Sequence, residues 1–489
     1  MATRIIAGII ACGLLCAQAP SQFQATLDAR APGKPFAHFW EQMFGSGRAV
    51  LSLREDWRHD LRRTREATGF RYVRFHGIFD DEVGLYPDYN FSYIDQIYDR
   101  LLEDGVKPFV ELSFMPKALA SSQTPHAFWY KPLPNPPASY EKWADLISHF
   151  TRHLVERYGI EEVSTWYFEV WNEPNIDFWT GQPKQATYFE LYDSGARAVK
   201  AVNARLRVGG PATAQAAWID AFIKHCVDQR VPFDFVSTHV YGNDSAEDVF
   251  GTHEKIPRSD MVARSVRKVY DEVRASARPD TPIIWSEYNA SYMNEVAVTD
   301  SPFMGPWLAN NIRLCDGLQT MMSYWTFSDV FEEQGVVKTP FYGGYGLIAE
   351  RDIPKAAFND FALLHLLGTE RLPLKVEWAL ATRRPDGSLV VAAWNYAPPE
   401  EAGQPIDVEL NISGASSLHR AVVRVVDADH GSSLTAWNAM GKPAFPTRDQ
   451  IARLVTASRL PPAERRAISD GKLRLHLAPH ALAVVEMVK

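Results

Sequence analysis

Between residues 36 and 368, short runs of apolar, β-branched and aromatic residues alternate with longer stretches whose apolar positions recur every three or four residues. That alternation predicts repeated strand–helix units around a parallel sheet. The strand-like runs fall at 36–44, 71–76, 108–114, 166–171, 207–210, 233–240, 282–287 and 319–327. The helical patterns fall at 51–68, 93–104, 140–158, 187–202, 217–229, 259–275, 305–315 and 355–367. Eight strands with one helix after each predict a closed (β/α)8 TIM barrel over residues 36–368. After Leu367 the period changes to two. Six β-like stretches, joined by turns such as Pro385-Asp386-Gly387 and Gly414-Ala415-Ser416, predict a C-terminal β-sandwich domain over residues 369–489. Short helices are expected near 447–466, split by Pro461-Pro462. An N-terminal extension, 20–35, contains a β-rich stretch at 23–28 that is read as one further sandwich strand.

Length agrees with two domains, because 489 residues exceed what one hydrophobic core usually fills. Residues 1–19 read as a signal peptide: Arg4, an apolar run from Ile5 to Cys16, and Ala17-Gln18-Ala19 before Pro20. The run is far below the about 20 residues of a membrane span. The stretch before Cys12 is also short for a lipoprotein site, so the expectation is an exported protein, periplasmic or secreted, rather than an anchored one. A formal net charge of −8 argues against nucleic acid or an anionic membrane as partner. Once the leader is removed, Cys226 and Cys315 remain, in two separate expected helices and outside any disulfide framework. No His-Glu-x-x-His motif, Cys/His cluster or Gly-x-Gly-x-x-Gly after a strand is present, so neither metal nor cofactor is expected. The 14 Trp, 19 Tyr and 26 Phe would suit sugar rings, whose apolar faces stack on aromatics, although most must serve the core.

Two glutamates stand where strand-like runs end: Glu173 in Trp171-Asn172-Glu173-Pro174-Asn175 and Glu287 in Ile284-Trp285-Ser286-Glu287-Tyr288-Asn289. Either alone reads as a salt-bridged structural residue. As a pair, at the carboxyl ends of strands four and seven of one barrel, they sit on the face where barrel active sites are built. Glycosidic bonds are cleaved by two carboxyl groups, one giving a proton and the other attacking or stabilising the anomeric carbon. Pro174 turns the chain sharply out of strand four, and strand alternation predicts Glu287 on the same face as Trp285.

These segments resemble the retaining (β/α)8 glycosidases with catalytic Glu on strands four and seven. Further stretches narrow the resemblance to glycoside hydrolase family 39, the β-xylosidase and α-L-iduronidase family. They are Phe44-Gly45-Ser46-Gly47-Arg48-Ala49, Arg74-Phe75-His76-Gly77, Thr238-His239-Val240-Tyr241-Gly242, 324–333 and 340–347. The resemblance implies Glu173 as acid/base, Glu287 as nucleophile, and a carboxyl separation of about 5–5.5 Å with retention of anomeric configuration. It implies that Asn172 binds the sugar 2-hydroxyl, that Tyr241 orients Glu287 and that His239, ending the same strand, serves the site, with a satisfied core histidine as the plain alternative. Glu173 is expected in the more apolar setting, with Glu287 held ionised. Trp325 is placed as a floor for the sugar and Trp179 at the entrance, while Glu333 and His76 are candidates to bind outer hydroxyls.

Glu287 sits in Trp-Ser-Glu-Tyr-Asn-Ala-Ser, worded like the bacterial β-xylosidases, and no Arg or Lys clamp for a uronate is evident in the strand-end motifs. The expectation is an exo-acting β-xylosidase working on xylo-oligosaccharides. Alternatives are an α-L-iduronidase, an arabinosidase or glucosidase, an endo-acting hydrolase, or a noncatalytic polysaccharide-binding barrel.

Overall fold

The computed structural model describes residues 21–414 and 418–488. The leader read at 1–19 lies outside these residues, as do Ala415 and Ser416 of the turn expected after Gly414. Among the described residues, eight parallel strands close into a barrel: β1 (Met43–Arg48), β2 (Tyr72–His76), β3 (Lys107–Leu112), β4 (Tyr167–Val170), β5 (Arg207–Thr213), β6 (Phe235–Tyr241), β7 (Ile283–Asn289) and β8 (Met321–Tyr324). The principal outer helices are Glu55–Thr68, Ser92–Glu103, Tyr140–Tyr158, Lys184–Val202, Ile219–Asp228, Arg258–Ala275, Met304–Cys315 and Ala356–Leu364. Their ends carry ordinary signals: Gly69, left-handed at φ 67°, stops the first, and the Ser139 side chain accepts from the Lys142 N–H to start the third.

The first strand lies later than the apolar pattern predicts. Phe36, Phe39 and Trp40 are buried, but 39–41 form a short 3-10 turn and pairing begins at Met43. An apolar run marks burial without specifying a strand. The true strand contains Gly45-Ser46-Gly47, whose small residues conceal it; a Cβ at Gly45 would lie 2.2 Å from the Trp325 ring.

Side chains inside the barrel form layers. Met43, Phe109, Phe235, Ile284 and Met321 fill the base, with Tyr72 and Tyr167 packed against them. Two residues further along three of these strands, the interior turns charged, with Arg74, Glu111 and Glu169 all fully buried.

The C-terminal part is a sandwich. Gln22–Asp28 pairs parallel with Ile406–Ser413, which pairs antiparallel with Lys472–Leu477. The facing sheet orders Glu464–Ala467, Arg420–Val426, Leu482–Val488, Leu389–Trp394, Ala379–Arg383, Glu370–Leu372 and Lys34–Pro35. Its inner face meets the small sheet through Val391, Val423, Val485 and Leu473. Its outer face, through Trp394, Val426 and Val484, joins the same core as the barrel helices. Within the expected helical stretch 447–466, only Arg448–Ala457 is helical, and Glu464–Ala467 is an edge strand because it pairs with Arg420–Val423. Cys226 and Cys315 are free and buried.

Lys355, just before the helix Ala356–Leu364, is fully buried. Its Nζ lies 2.6 Å from both Asp300 Oδ1 and Asp329 Oδ2 and donates to Gly344 O at 2.8 Å. The two carboxylates accept the Gly343 and Gly346 N–H groups at 2.6 and 2.7 Å. This staple ties the two ends of the loop after β8, which carries Glu332, Glu333 and Tyr345. Lys355→Met strands two buried carboxyls, and denaturant unfolding is expected to show a loss of about 3–5 kcal/mol. A loss under about 1 kcal/mol would mean that the loop is held by other contacts.

Candidate active site

The barrel mouth is built on departures from regular strand geometry. Trp171 and Glu173 both adopt positive φ, 76° and 44°, where a side chain pays a steric penalty. Trp171 thereby turns outward into the core, its Nε1 donating to Phe178 O at 2.8 Å, while Asn172 and Glu173 face the cavity.

On β7, pairing with both neighbours slips by one residue. Thr238 opposes Trp285 and His239 opposes Glu287 on one side, while Met322 opposes Trp285 and Tyr324 opposes Tyr288 on the other. This bulge corrects the expectation from alternation. Trp285 packs outward into the core, whereas Ser286 and Glu287 both point into the barrel, because the extra residue reverses the alternation at that point.

Arg74, fully buried on β2, organises the interior. Its Nε donates to Glu169 Oε2 at 2.6 Å, its Nη1 to Glu287 Oε1 at 2.7 Å and its Nη2 to Asn172 Oδ1 at 2.9 Å, with Glu111 Oε2 at 2.7 Å. Burial opposes its charge, but Glu111, Glu169 and Glu287 outweigh that and raise its pKa further. The Tyr241 hydroxyl donates to Glu287 Oε2 at 2.6 Å. Both Glu287 oxygens therefore accept, the arrangement suited to a carboxylate.

Glu173 has a different setting. Its Oε1 lies 2.9 Å from His239 Nδ1, and among the described residues no Lys or Arg pairs with it. Burial, then the charges of Glu287 and Asp244, push its pKa well above the usual carboxyl range. His239 is held neutral by burial and by the nearby Arg74 and His76. A Glu173 oxygen, a His239 nitrogen and a Glu287 oxygen lie within 4.8 Å of one another.

The cavity between the two glutamates has a volume of about 440 Å³. Trp325 lines it and stacks obliquely on His76 at 4.8 Å. His76, fixed by Glu111 Oε2 at 2.8 Å, also lines it, as do Glu333, Tyr241 and Asn172. Burial and then Glu287 and Glu111 keep the Glu333 carboxyl protonated to unusually high pH, and its Oε1, 3.7 Å from His76 Nε2, has no hydrogen-bond partner among the described residues. Neighbouring Glu332 is turned away into ion pairs with Arg48 and Arg54.

Two expected contacts are not made. Trp179 is fully buried, donating to Thr187 Oγ1 at 2.9 Å and packing on Trp171, because the loop after β4 folds back onto the helices. His239 also has no exposed surface and lies behind Glu173 rather than on the cavity wall.

Arg74, Glu111, Glu169, Ser286 and Asp244 went unnoticed in the sequence. The first three do leave a signal, a charge embedded in a mostly apolar strand.

Among the described residues, Glu173, His239 and Glu287 form one of three groups that could offer a metal three ligands; the others are His38, Glu41, His365 and His59, Asp60, Asp352. At the site itself the Arg74 cation already occupies the place beside Glu287.

The chain is similar to known glycosidases over most of its length. The family described as Glycosyl hydrolases family 39 matches residues 23–473. A beta-xylosidase from Geobacillus stearothermophilus is 39% identical over 460 residues, covering 90% of each chain. One from Caldicellulosiruptor saccharolyticus is 36% identical over 473 residues, covering 91% of this chain and 94% of the relative. The crystal structure of a beta-xylosidase from Caulobacter crescentus CB15 superposes with a TM-score of 0.87 at 34% identity, over 95% of this chain and 99% of that one. With the barrel, most of the sandwich and the paired strand-end glutamates inside the matched span, the chain belongs to glycosyl hydrolase family 39.

Proposed function

We propose that the protein is an exo-acting, retaining β-xylosidase in which Glu173 is the acid/base and Glu287 the nucleophile. The observation that carries this reading is the pair of glutamates facing one cavity with oxygens within 4.8 Å and opposite local chemistry. Oxygens this close agree with the about 5–5.5 Å carboxyl separation of retaining enzymes. In the first step the Glu287 carboxylate attacks the anomeric carbon while Glu173 gives its proton to the departing glycosidic oxygen. In the second, Glu173, now a carboxylate, takes a proton from water as that water attacks the same carbon and releases Glu287. Esterifying Glu287 removes a negative charge that raises the Glu173 pKa, so Glu173 becomes easier to ionise when a base is needed. Asn172 Oδ1 accepts from Arg74 Nη2, which leaves the amide Nδ2–H as the donor for a sugar 2-hydroxyl.

The beta-xylosidase relatives support xylose as the sugar. So does the cavity lining, which among the described residues includes Asp177, Asp244 and Glu333 but no Lys or Arg to pair with a uronate. A volume near the lower end of the about 300–1,000 Å³ typical of small-ligand sites suits a terminal sugar and its leaving group. The apolar leader at 1–19 supports export to the periplasm or medium.

On a nitrophenyl panel of β-xyloside, β-glucoside, α-arabinoside and α-iduronide, β-xyloside is expected to turn over fastest, and Glu287→Ala is expected to abolish it. Silence on all four would point to endo action on longer chains. Glu173→Ala is expected to slow xylobiose about 10²–10⁴-fold while sparing the first step on a dinitrophenyl xyloside, whose leaving group needs no proton. Equal losses on both substrates would remove Glu173 from the role.

Asp244, buried beside Glu173, has its own pKa raised to about 7 by burial. Above that pH its charge opposes ionisation of Glu173. Asp244→Asn is therefore expected to move the basic limb of the kcat/KM profile to lower pH, by roughly half to one pH unit. An unmoved limb would uncouple the two. Full-length protein expressed in a bacterium is expected to be recovered outside the cytoplasm with Pro20 as its first residue by N-terminal sequencing; a retained Met1 would overturn the export reading.

A further inference from the structure

Behind Glu173 runs a chain of fully buried side chains that lie off the cavity wall. Glu173 Oε1 meets His239 Nδ1 at 2.9 Å, His239 Nε2 meets Ser286 Oγ at 3.0 Å, and the Ser286 hydroxyl donates to Glu169 Oε1 at 2.7 Å. The direction of the protons follows from the far end. Burial raises the Glu169 pKa, but Arg74, whose Nε donates to Glu169 Oε2 at 2.6 Å, opposes that, and with Glu169 ionised both its oxygens accept, so the Ser286 proton is drawn to it. The Ser286 oxygen can then only accept, which places the His239 proton on Nε2. A neutral His239 protonated there presents a bare lone pair at Nδ1. That lone pair can meet Glu173 only if Glu173 carries the proton.

We propose that Ser286 and Glu169 are positioning residues that fix the His239 tautomer, so that His239 accepts from Glu173 and holds the acid in its proton-bearing form. The inference rests on the acid/base reading of Glu173 given above. Ser286 points inward by alternation from Ile284, and the β7 bulge turns Glu287 inward beside it, so that the chain and the nucleophile share one wall of the barrel. The charged and titratable groups facing the chain are Glu287, Asp244, Glu333, Tyr241 and Arg74 toward Glu173, Glu287, Arg74 and His76 toward His239, and Arg74, Glu111 and Tyr188 toward Glu169. Arg74 favours ionisation of Glu173 and the carboxylates oppose it, so the tautomer adds to a balance that is close to the reacting oxygen.

Two substitutions test this by different routes. Ser286→Ala removes the acceptor for Nε2–H and frees His239 to carry its proton on Nδ1, where it would donate to an ionised Glu173. Glu169→Gln reverses the chain: its carbonyl must face Arg74, so its amide N–H faces Ser286, whose proton then turns to His239 Nε2. Both are expected to move the basic limb of kcat/KM down by about one pH unit and to lower xylobiose turnover about 10-fold or more at pH 7. On a dinitrophenyl xyloside the change is expected to stay within about 3-fold, and Ser286→Thr, which keeps the hydroxyl, is expected to restore the profile.

An unmoved basic limb in folded Glu169→Gln overturns the proposal whether or not Ser286→Ala folds, and so do equal losses on both substrates. The control is Glu173→Ala: if it shows no leaving-group selectivity, the acid/base reading fails, and that failure is distinguishable from a fault in the relay.

Discussion

The Arg74 guanidinium, without exposed surface, stands among Glu111, Glu169 and Glu287 and the Asn172 amide, and the barrel mouth is arranged around the charge that it supplies. Carboxylates cannot be buried together unless something compensates them, since each loses its hydration. Arg74 is the compensation for three strands at once, and its planar set of five N–H donors reaches β3, β4 and β7 from one position on β2. Lysine at that position would present a single point charge and would leave some of those oxygens without partners. The fixed guanidinium also makes the two central glutamates unlike. Glu287 touches it, whereas Glu173, on the other side of His239, is left to burial and to the repulsion of Glu287 and Asp244.

Backbone irregularity is concentrated where chemistry is needed. The apolar base of the barrel keeps regular alternation, and the register shifts of β1, β5, β7 and β8 come toward the carboxyl ends. The left-handed backbone at Trp171 and Glu173 and the β7 bulge each re-aim a side chain that regular geometry would send elsewhere. Such strain persists only when the surroundings fix it. Here they include Asn175, whose amide bonds both the N–H and the C=O of Ala214 across the mouth, and the buried Lys355 staple under the loop after β8.

Much of this was legible along the chain. Helices such as Tyr140–Tyr158 follow their three-to-four period because one face is buried and the other is wet. The strand-end positions of Glu173 and Glu287 were visible because a charge after an apolar run is conspicuous. Strand β1 is hidden from the apolar pattern because Gly45 and Gly47 carry no apolar signal, their smallness serving the Trp325 ring and the Phe331 backbone instead. Chain position points Trp179 at the entrance and the family resemblance points His239 at the site, and nothing local distinguishes a side chain that lines a cavity from one that packs behind it.

The sequence by itself determined the alternating period, hence the barrel and sandwich, and the residue types available at the strand ends, because these depend on local pattern and on burying one face of each element. Only the tertiary structure decided which residues meet. The convergence of β2, β4, β6 and β7 on one cavity, the reversal of alternation by the bulge, and the order of donors and acceptors from Glu169 to Glu173 all depend on contacts between distant parts of the chain. Local pattern carries no record of those contacts, because register and hydrogen-bond direction are set when the strands pair.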